Sequence, residues 1–247
     1  IDLMHKTQLA YNENLKILKE KGMLPLFDEG YISMNRQYLT IGVNGLVEAA
    51  EFLGISIHQN AQYENYVQNV LGLIERYNKK YRTKDVMFNC EMIPAENLGV
   101  KNSKWDQEDH YFVPRPCYNS YFYIVEDDSL NIMDKIQLHG KKYITHLTGG
   151  SALHLNLDEH LTKEQYQKVL QFAAIEGCNY LTFNIPNTVC NDCGHIDKRN
   201  LKKCPKCNST NLDYLTRIIG YMKRVSNFSV SRQQEASKRY YAKVSNL

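Results

Sequence analysis

The sequence lacks any apolar run long enough to cross a bilayer and lacks a signal-peptide pattern, so it gives no membrane or secretory signal. It also lacks a dominant charge. Thirty Lys and Arg face 27 Asp and Glu, a formal excess of +3, which predicts no binding to nucleic acid. Internal repeats and low-complexity linkers are missing too. Seven cysteines, an odd number, make a poor disulfide framework and suit a reducing, cytoplasmic compartment. What is present is ordinary for a globular protein: 43% hydrophobic and 23% charged residues over 247 positions, enough for a real core. The 18 tyrosines carry no function by count alone. The chain begins at Ile1 with a helical pattern already running, which reads as a fragment or a processed or split chain.

Periodicity points to an α/β fold. Residues 3–21 predict an amphipathic helix, with Leu9, Leu15, Ile17 and Leu18 among its apolar positions and Gly22 as its stop. A buried strand over 38–43, a glycine turn and a helix closed by Gly54 follow. Residues 60–81 predict a longer helix and 84–93 a strand. Residues 105–116 read as a proline-bearing loop, and 118–125, an aromatic run, as a strand. Further on come a helix over 129–139, a strand over 143–147 and a strand over 153–157. A helix over 162–176 opens on Thr162 and ends at Gly177, a strand spans 180–185, and a basic tail turns helical from about Ser231. Gly149-Gly150 suits either a tight turn or close backbone approach to a ligand. His154 reads first as a structural histidine.

The strongest motif is a pair of CxxC turns, Cys190/Cys193 and Cys204/Cys207, separated by a polar, basic linker. Each turn sets two thiolates close together. Four sulfur ligands suit tetrahedral zinc in a closed, structural site with no coordination position left for water. An iron–sulfur cluster, a redox pair and metal-free cysteines are the alternatives. Two carboxylates, Glu91 and Glu96, lie at or just beyond the end of the 84–93 strand, where α/β folds gather ligands. Cys90 neighbours Glu91, and alternation along a strand sends the two side chains to opposite faces.

The order of several runs then resembles one family. Thr40-Ile41-Gly42-Val43-Asn44-Gly45, Pro94-Ala95-Glu96, Asn119-Ser120-Tyr121 and Gly149-Gly150-Ser151 precede the four cysteines, and Arg217-Ile218-Ile219-Gly220-Tyr221 follows them. Over essentially its whole length the chain is similar to the C-terminal part of anaerobic (class III) ribonucleoside-triphosphate reductases, which are glycyl-radical enzymes. The resemblance implies the C-terminal half of a ten-stranded α/β barrel, with residues 1–187 in the barrel. A four-cysteine zinc module spans 188–212, and a glycyl-radical loop with a C-terminal helix spans 213–247.

It implies a radical stored at Gly220 and installed by a separate activase that uses S-adenosylmethionine and an iron–sulfur cluster. It implies zinc on Cys190, Cys193, Cys204 and Cys207, and Glu96 at the ribose hydroxyls. At Glu91 formate-using members carry tyrosine, so this departure points to a redoxin as reductant instead of formate. The implied partners are a ribonucleoside triphosphate, the activase, the reductant, an N-terminal part carrying the thiyl-forming cysteine, and a second copy in a homodimer. None of Cys90, Cys117 and Cys178 matches that cysteine in position. Two other classes stand beside this one. A non-catalytic zinc-ribbon module on an α/β domain would rest on the short cluster Lys198, Arg199, Lys202 and Lys203, which lacks interleaved aromatics. A glycyl-radical enzyme of another branch would not be expected to carry the zinc module.

Overall fold

A computed structural model describes residues 1–93, 97–217 and 221–244. The chain opens with helix α1 (Asp2–Glu20) and the short α2 (Pro25–Asp28). Strand β1 (Tyr38–Val43), α3 (Leu46–Phe52), α4 (Ala61–Tyr81) and β2 (Met87–Met92) follow. Next come α5 (Leu98–Glu108), α6 (Ile132–Leu138), α7 (Lys141–Ile144), β3 (Gly150–Ser151) and β4 (Leu153–Asn156). Helix α8 (Lys163–Glu176) leads to β5 (Leu181–Asn184) and β6 (Asn187–Cys190). The chain finishes with β7 (Ile196–Asp197), β8 (Leu212–Arg217), β9 (Met222–Arg224) and α9 (Val230–Lys238).

Three strands run parallel in the order β1-β2-β3, and β4 pairs β5 in parallel. Only Ala152 separates β3 from β4, so residues 150–156 act as one interrupted strand that joins the two sheets. No closed barrel forms among the described residues. The helices cover one face. Leu39, Ile41, Phe88, Cys90, Met92, Leu153 and Leu155 all point into a core shared with Val67, Leu71 and Ile136. Register and alternation put Thr40, Asn89, Glu91, His154, Asn156, Thr182 and Asn184 on the opposite face. Parallel sheets are normally apolar on both sides. A polar inner face is therefore the first sign of a working surface.

Helix ends follow local chemistry. Asn60 accepts the amide of Tyr63 at the start of α4, and Thr162 with Gln165 closes a reciprocal capping box on α8. Three expectations are corrected. Residues 98–108 form α5, so Trp105 is helical and the loop begins later than 105. Residues 118–125 form no strand. Their rings fill the core, with Phe122 and Tyr123 fully buried. Their backbone is satisfied by side chains instead: Tyr63 Oη donates to the Phe122 carbonyl at 2.9 Å, and Asn119 Oδ1 accepts Val125 N–H at 3.3 Å. Tertiary partners thus override the β propensity of an aromatic run. Residues 143–147 are not a strand either, because α7 occupies 141–144 and a turn follows; so short an apolar run carries no usable period.

That last change recasts Gly149-Gly150, which opens a strand instead of following one. Gly149 donates its N–H to the Cys90 carbonyl at 2.8 Å. A Cβ at Gly149 would stand 2.9 Å from both Asn89 Nδ2 and Glu91 Cβ, so the glycine serves close strand approach.

Candidate functional site

The four cysteines converge. Their sulfur atoms all lie within 4.8 Å of one another, and among the described residues no other such group of ligating side chains forms. Cys190 and Cys207 sulfurs are 3.5 Å apart, and Cys193 and Cys204 sulfurs 3.6 Å. A tetrahedral ion with sulfur at about 2.3 Å sets its ligands roughly 3.8 Å apart, so the donor set fits zinc in type, number and spacing.

The two turns are built alike. Cys190 N–H donates to the His195 carbonyl and Gly194 N–H to the Cys190 carbonyl; Cys204 N–H donates to the Ser209 carbonyl and Asn208 N–H to the Cys204 carbonyl. Gly194 (φ 72°) and Asn208 (φ 60°) occupy the matching left-handed positions. Asparagine tolerates that region, so its presence where glycine is usual leaves the turn intact. Burial raises the Cys204 thiol, but hydrogen bonds from the Cys207 and Lys206 amides and the neighbouring sulfurs prevail and bring it to about 6; the Ser209 amide lowers Cys207, yet its hydrogen bonds to the other three sulfurs push it up to about 12, so the metal-free cluster shares its protons.

The cysteine module shares a sheet with the run toward Gly220. Four antiparallel strands stand in the order β7-β6-β8-β9. Strand β6 ends at Cys190, and β8 pairs with it from Cys190↔Leu212 to Asn187↔Leu215. Strands β8 and β9 then form a hairpin with Arg217 opposite Met222, joined by residues 218–221. The returning arm is tied to the module. Arg224 Nη1 donates to Asn191 Oδ1 at 2.8 Å, and Ser226 Oγ to the buried Asp213 at 2.6 Å. Thr188 Oγ1 donates to the Arg199 carbonyl and accepts the Leu201 amide, which folds the basic linker back onto β6.

The root of this hairpin meets the carboxyl ends of β4 and β5. Asn184 Oδ1 accepts Arg217 N–H at 3.0 Å and Thr216 Oγ1 at 3.1 Å, while its Nδ2 donates to Asn156 Oδ1 at 2.7 Å. The tail wraps the same place. Arg239 Nη1 donates to the Arg217 carbonyl at 2.7 Å, Tyr241 Oη lies 3.1 Å from Thr216 Oγ1, and Ala242 N–H donates to the Asn156 carbonyl. Tyr121 Oη sits 3.1 Å from His154 Nδ1, and His154 Nε2 is buried with no partner among the described residues. Burial, with the charges of Arg239 and Arg217, lowers His154 to about 4, so its ring is neutral.

The sequence markers also meet. Asn44 Nδ2 donates to the carbonyls of Tyr118 (3.3 Å) and Asn119 (3.0 Å) and to Ser120 Oγ (3.0 Å), and Gly45 N–H donates to the Asn119 carbonyl. Beneath them Glu48 Oε1 accepts from the Asn119 backbone and side chain and from Arg115 Nη1 at 2.8 Å.

Of the singled-out residues, Glu91 lies on the polar face of β2, half-buried, with its carboxyl raised by burial. Cys90 is fully buried on the opposite face, and burial pushes its thiol up to about 12. Cys117 is likewise buried and pushed up to about 11. Glu96 and Gly220 lie outside the described residues. Asn156, Asn184, Arg239 and Tyr241 escaped sequence reading. Asn156 and Asn184 each close a short strand, a position that looks like any strand end, and the tail showed only a weak alternation over 240–244.

A family model described as anaerobic ribonucleoside-triphosphate reductase matches residues 1–241. A solved anaerobic ribonucleotide reductase superposes with a TM-score of 0.89 at 30% identity, covering 98% of this chain and 40% of that one. The enzyme from Thermotoga maritima in complex with dATP and CTP gives a TM-score of 0.82 at 28% identity, over 96% of this chain and 39% of that one. The same enzyme with glycerol in the active site gives 0.81 at 28% identity, over 98% and 39%. The chain thus spans about two fifths of the length of these solved relatives. No curated protein matches it.

Proposed function

The chain belongs to the anaerobic ribonucleoside-triphosphate reductase family, and from that premise we propose that it forms the catalytic C-terminal part of a reductase that converts ribonucleoside triphosphates to deoxyribonucleoside triphosphates. The observation that carries this reading is the position of the β8–β9 hairpin. It is built on the strand that holds Cys190, and its root is gripped at the carboxyl ends of the parallel strands. Residues 218–221, which include Gly220, connect its arms.

A radical on Gly220 supplies the hydrogen-abstracting power of the reaction, through a cysteine on the N-terminal part. Glycine suits that task because a planar α-carbon, conjugated with both flanking amides, has no side chain crowding it. Cys190, Cys193, Cys204 and Cys207 would hold a structural zinc ion, which would tie together the segment between β6 and β8. Glu91 faces the polar side of the sheet with a raised carboxyl, which suits a group that exchanges protons with ribose hydroxyls or with the reductant. Glu96, between the end of β2 and the start of α5, takes the hydrogen-bonding or acid–base role at the ribose. The inner polar face is that of half a ten-stranded barrel, closed by the N-terminal part.

The division into barrel (1–187), zinc module (188–212) and radical segment (213–247) follows from the same reading. So do a radical-installing activase, a redoxin in preference to formate, a homodimer and a cytoplasmic site of action. No described helix is long and apolar enough to cross a membrane.

The test is anaerobic electron paramagnetic resonance of the chain with the N-terminal part, the family's activase, S-adenosylmethionine and a reductant. A doublet in the wild type that disappears in Gly220→Ala is the expected result. A doublet that survives the substitution, or none in the wild type under these conditions, refutes the assignment.

A further inference from the structure

Arg217 is the last described residue before the 218–221 connection, and side chains from outside the hairpin hold both its backbone polar groups. The reason lies in the ladder. Strand β6 covers the outer edge of β8 only as far as Asn187↔Leu215. Beyond that point the edge of β8 has no neighbouring strand among the described residues, and an unpaired amide shielded from water is costly. Asn184 takes over where the strand stops. Its side chain is 1% exposed, its Oδ1 accepts Arg217 N–H at 3.0 Å, and its bond to Asn156 Oδ1 fixes which way the amide points. On the other side Arg239 is clamped on Glu235 through Nε at 2.6 Å and Nη2 at 2.8 Å. That leaves Nη1 to donate to the Arg217 carbonyl at 2.7 Å.

We propose that Asn184 and Arg239 are positioning residues for the 218–221 connection. They fix the peptide groups of Arg217, which lead into the connection that contains Gly220. The link to catalysis rests on the reading of Gly220 given above; the hold on Arg217 does not.

The chemistry separates the variants. Asn184→Asp keeps an acceptor for Arg217 N–H, and Asn156 can turn its amide to donate. Asn184→Leu keeps the volume and removes the acceptor. Arg239→Lys loses the fork that aims a donor at the Arg217 carbonyl. The experiment measures amide hydrogen exchange across residues 212–224 of the zinc-loaded chain, with zinc content recorded for each variant. It then measures the radical doublet with the N-terminal part and activase present. Exchange at Arg217 should rise about tenfold in Asn184→Leu, the loss expected for one hydrogen bond, and stay near wild type in Asn184→Asp. The doublet should fall severalfold in Asn184→Leu and Arg239→Lys at unchanged zinc content, and recover in Asn184→Asp.

Unchanged exchange in Asn184→Leu overturns the proposal, as does an aspartate variant as impaired as the leucine one. Should Asn184→Leu lose its zinc, Arg239→Lys decides alone: a full doublet there overturns the proposal. A wild type without any doublet sinks the Gly220 assignment and leaves the exchange data to judge the hold on Arg217.

Discussion

Removing zinc should unfold the cysteine module and leave the rest of the α/β fold standing. The reason is how little the module buries. Between Asn191 and Leu212 the one buried residue is Cys204, and the adjoining strand adds Thr188, Val189 and Cys190. Burying a valine contributes about 2 kcal/mol, whereas ordering each residue costs about 1 kcal/mol or more. A structural zinc site supplies roughly 10–16 kcal/mol of apparent binding free energy. On the proposed zinc assignment, metal and not packing sets the stability of residues 191–211.

Trypsin reads this directly, because Lys198, Arg199, Lys202, Lys203 and Lys206 are its sites. In the folded module the backbone there is tied down through Thr188, and Tyr214 Oη donates to the Leu201 carbonyl at 3.0 Å. Chelation, or Cys204→Ser, should raise cleavage at these five sites by a factor of about 100 or more, the equivalent of roughly 3 kcal/mol of lost protection. Helical circular dichroism should hold, since α1, α4 and α8 lie elsewhere. Equal cleavage rates with and without zinc would refute the argument.

Other outcomes follow from single contacts. Glu48→Ala strips Arg115 of one carboxylate and leaves two Asn119 donors without their acceptor, and should cost about 3–5 kcal/mol in urea unfolding. Gly149→Ala forces a Cβ to within 2.9 Å of Asn89 and Glu91 and should cost about 1–3 kcal/mol in the same assay. His154 sits at about 4, below the 6.5 of a free histidine, because burial and two arginines oppose its charge. The unfolded chain therefore takes up the proton first, and stability falls as pH drops from about 6.5 to about 4, by up to about 3 kcal/mol. Urea midpoints against pH should show that slope in wild type and a shallower one in His154→Gln. Gly194→Ala places a side chain at φ 72° and should weaken zinc binding by about 1 kcal/mol in chelator competition, while Asn208→Gly should leave it unchanged or slightly tighter.

Much of the site was legible because its chemistry is local. The CxxC spacing brings two sulfurs together within each turn, and only the meeting of the two turns needed the fold. Period-two alternation was enough to send Cys90 and Glu91 to opposite faces. The helices over 61–81 and 163–176 carry caps and long periods and could be read directly. What was not legible depends on partners far along the chain. Residues 118–125 look like a strand until Asn44, Tyr63 and Glu48 take their backbone groups. Nothing near Asn184 announces that it will meet Arg217, 33 residues on. The tail reads as a basic helix, yet its last described residues lie along Asn156 and Asp158 through backbone bonds.

Continuous pairing from β6 through β8 to β9 also makes the metal a reporter. A hairpin locked in register at Leu215↔Arg224 and Arg217↔Met222 cannot slide past its neighbour without turning every side chain to the wrong face. Cys190 and the arms Leu212–Arg217 and Met222–Arg224 belong to one sheet, so a displacement of those arms carries Cys190 with it. Cobalt(II) on the four sulfurs would then be a paramagnetic beacon for the arms Leu212–Arg217 and Met222–Arg224.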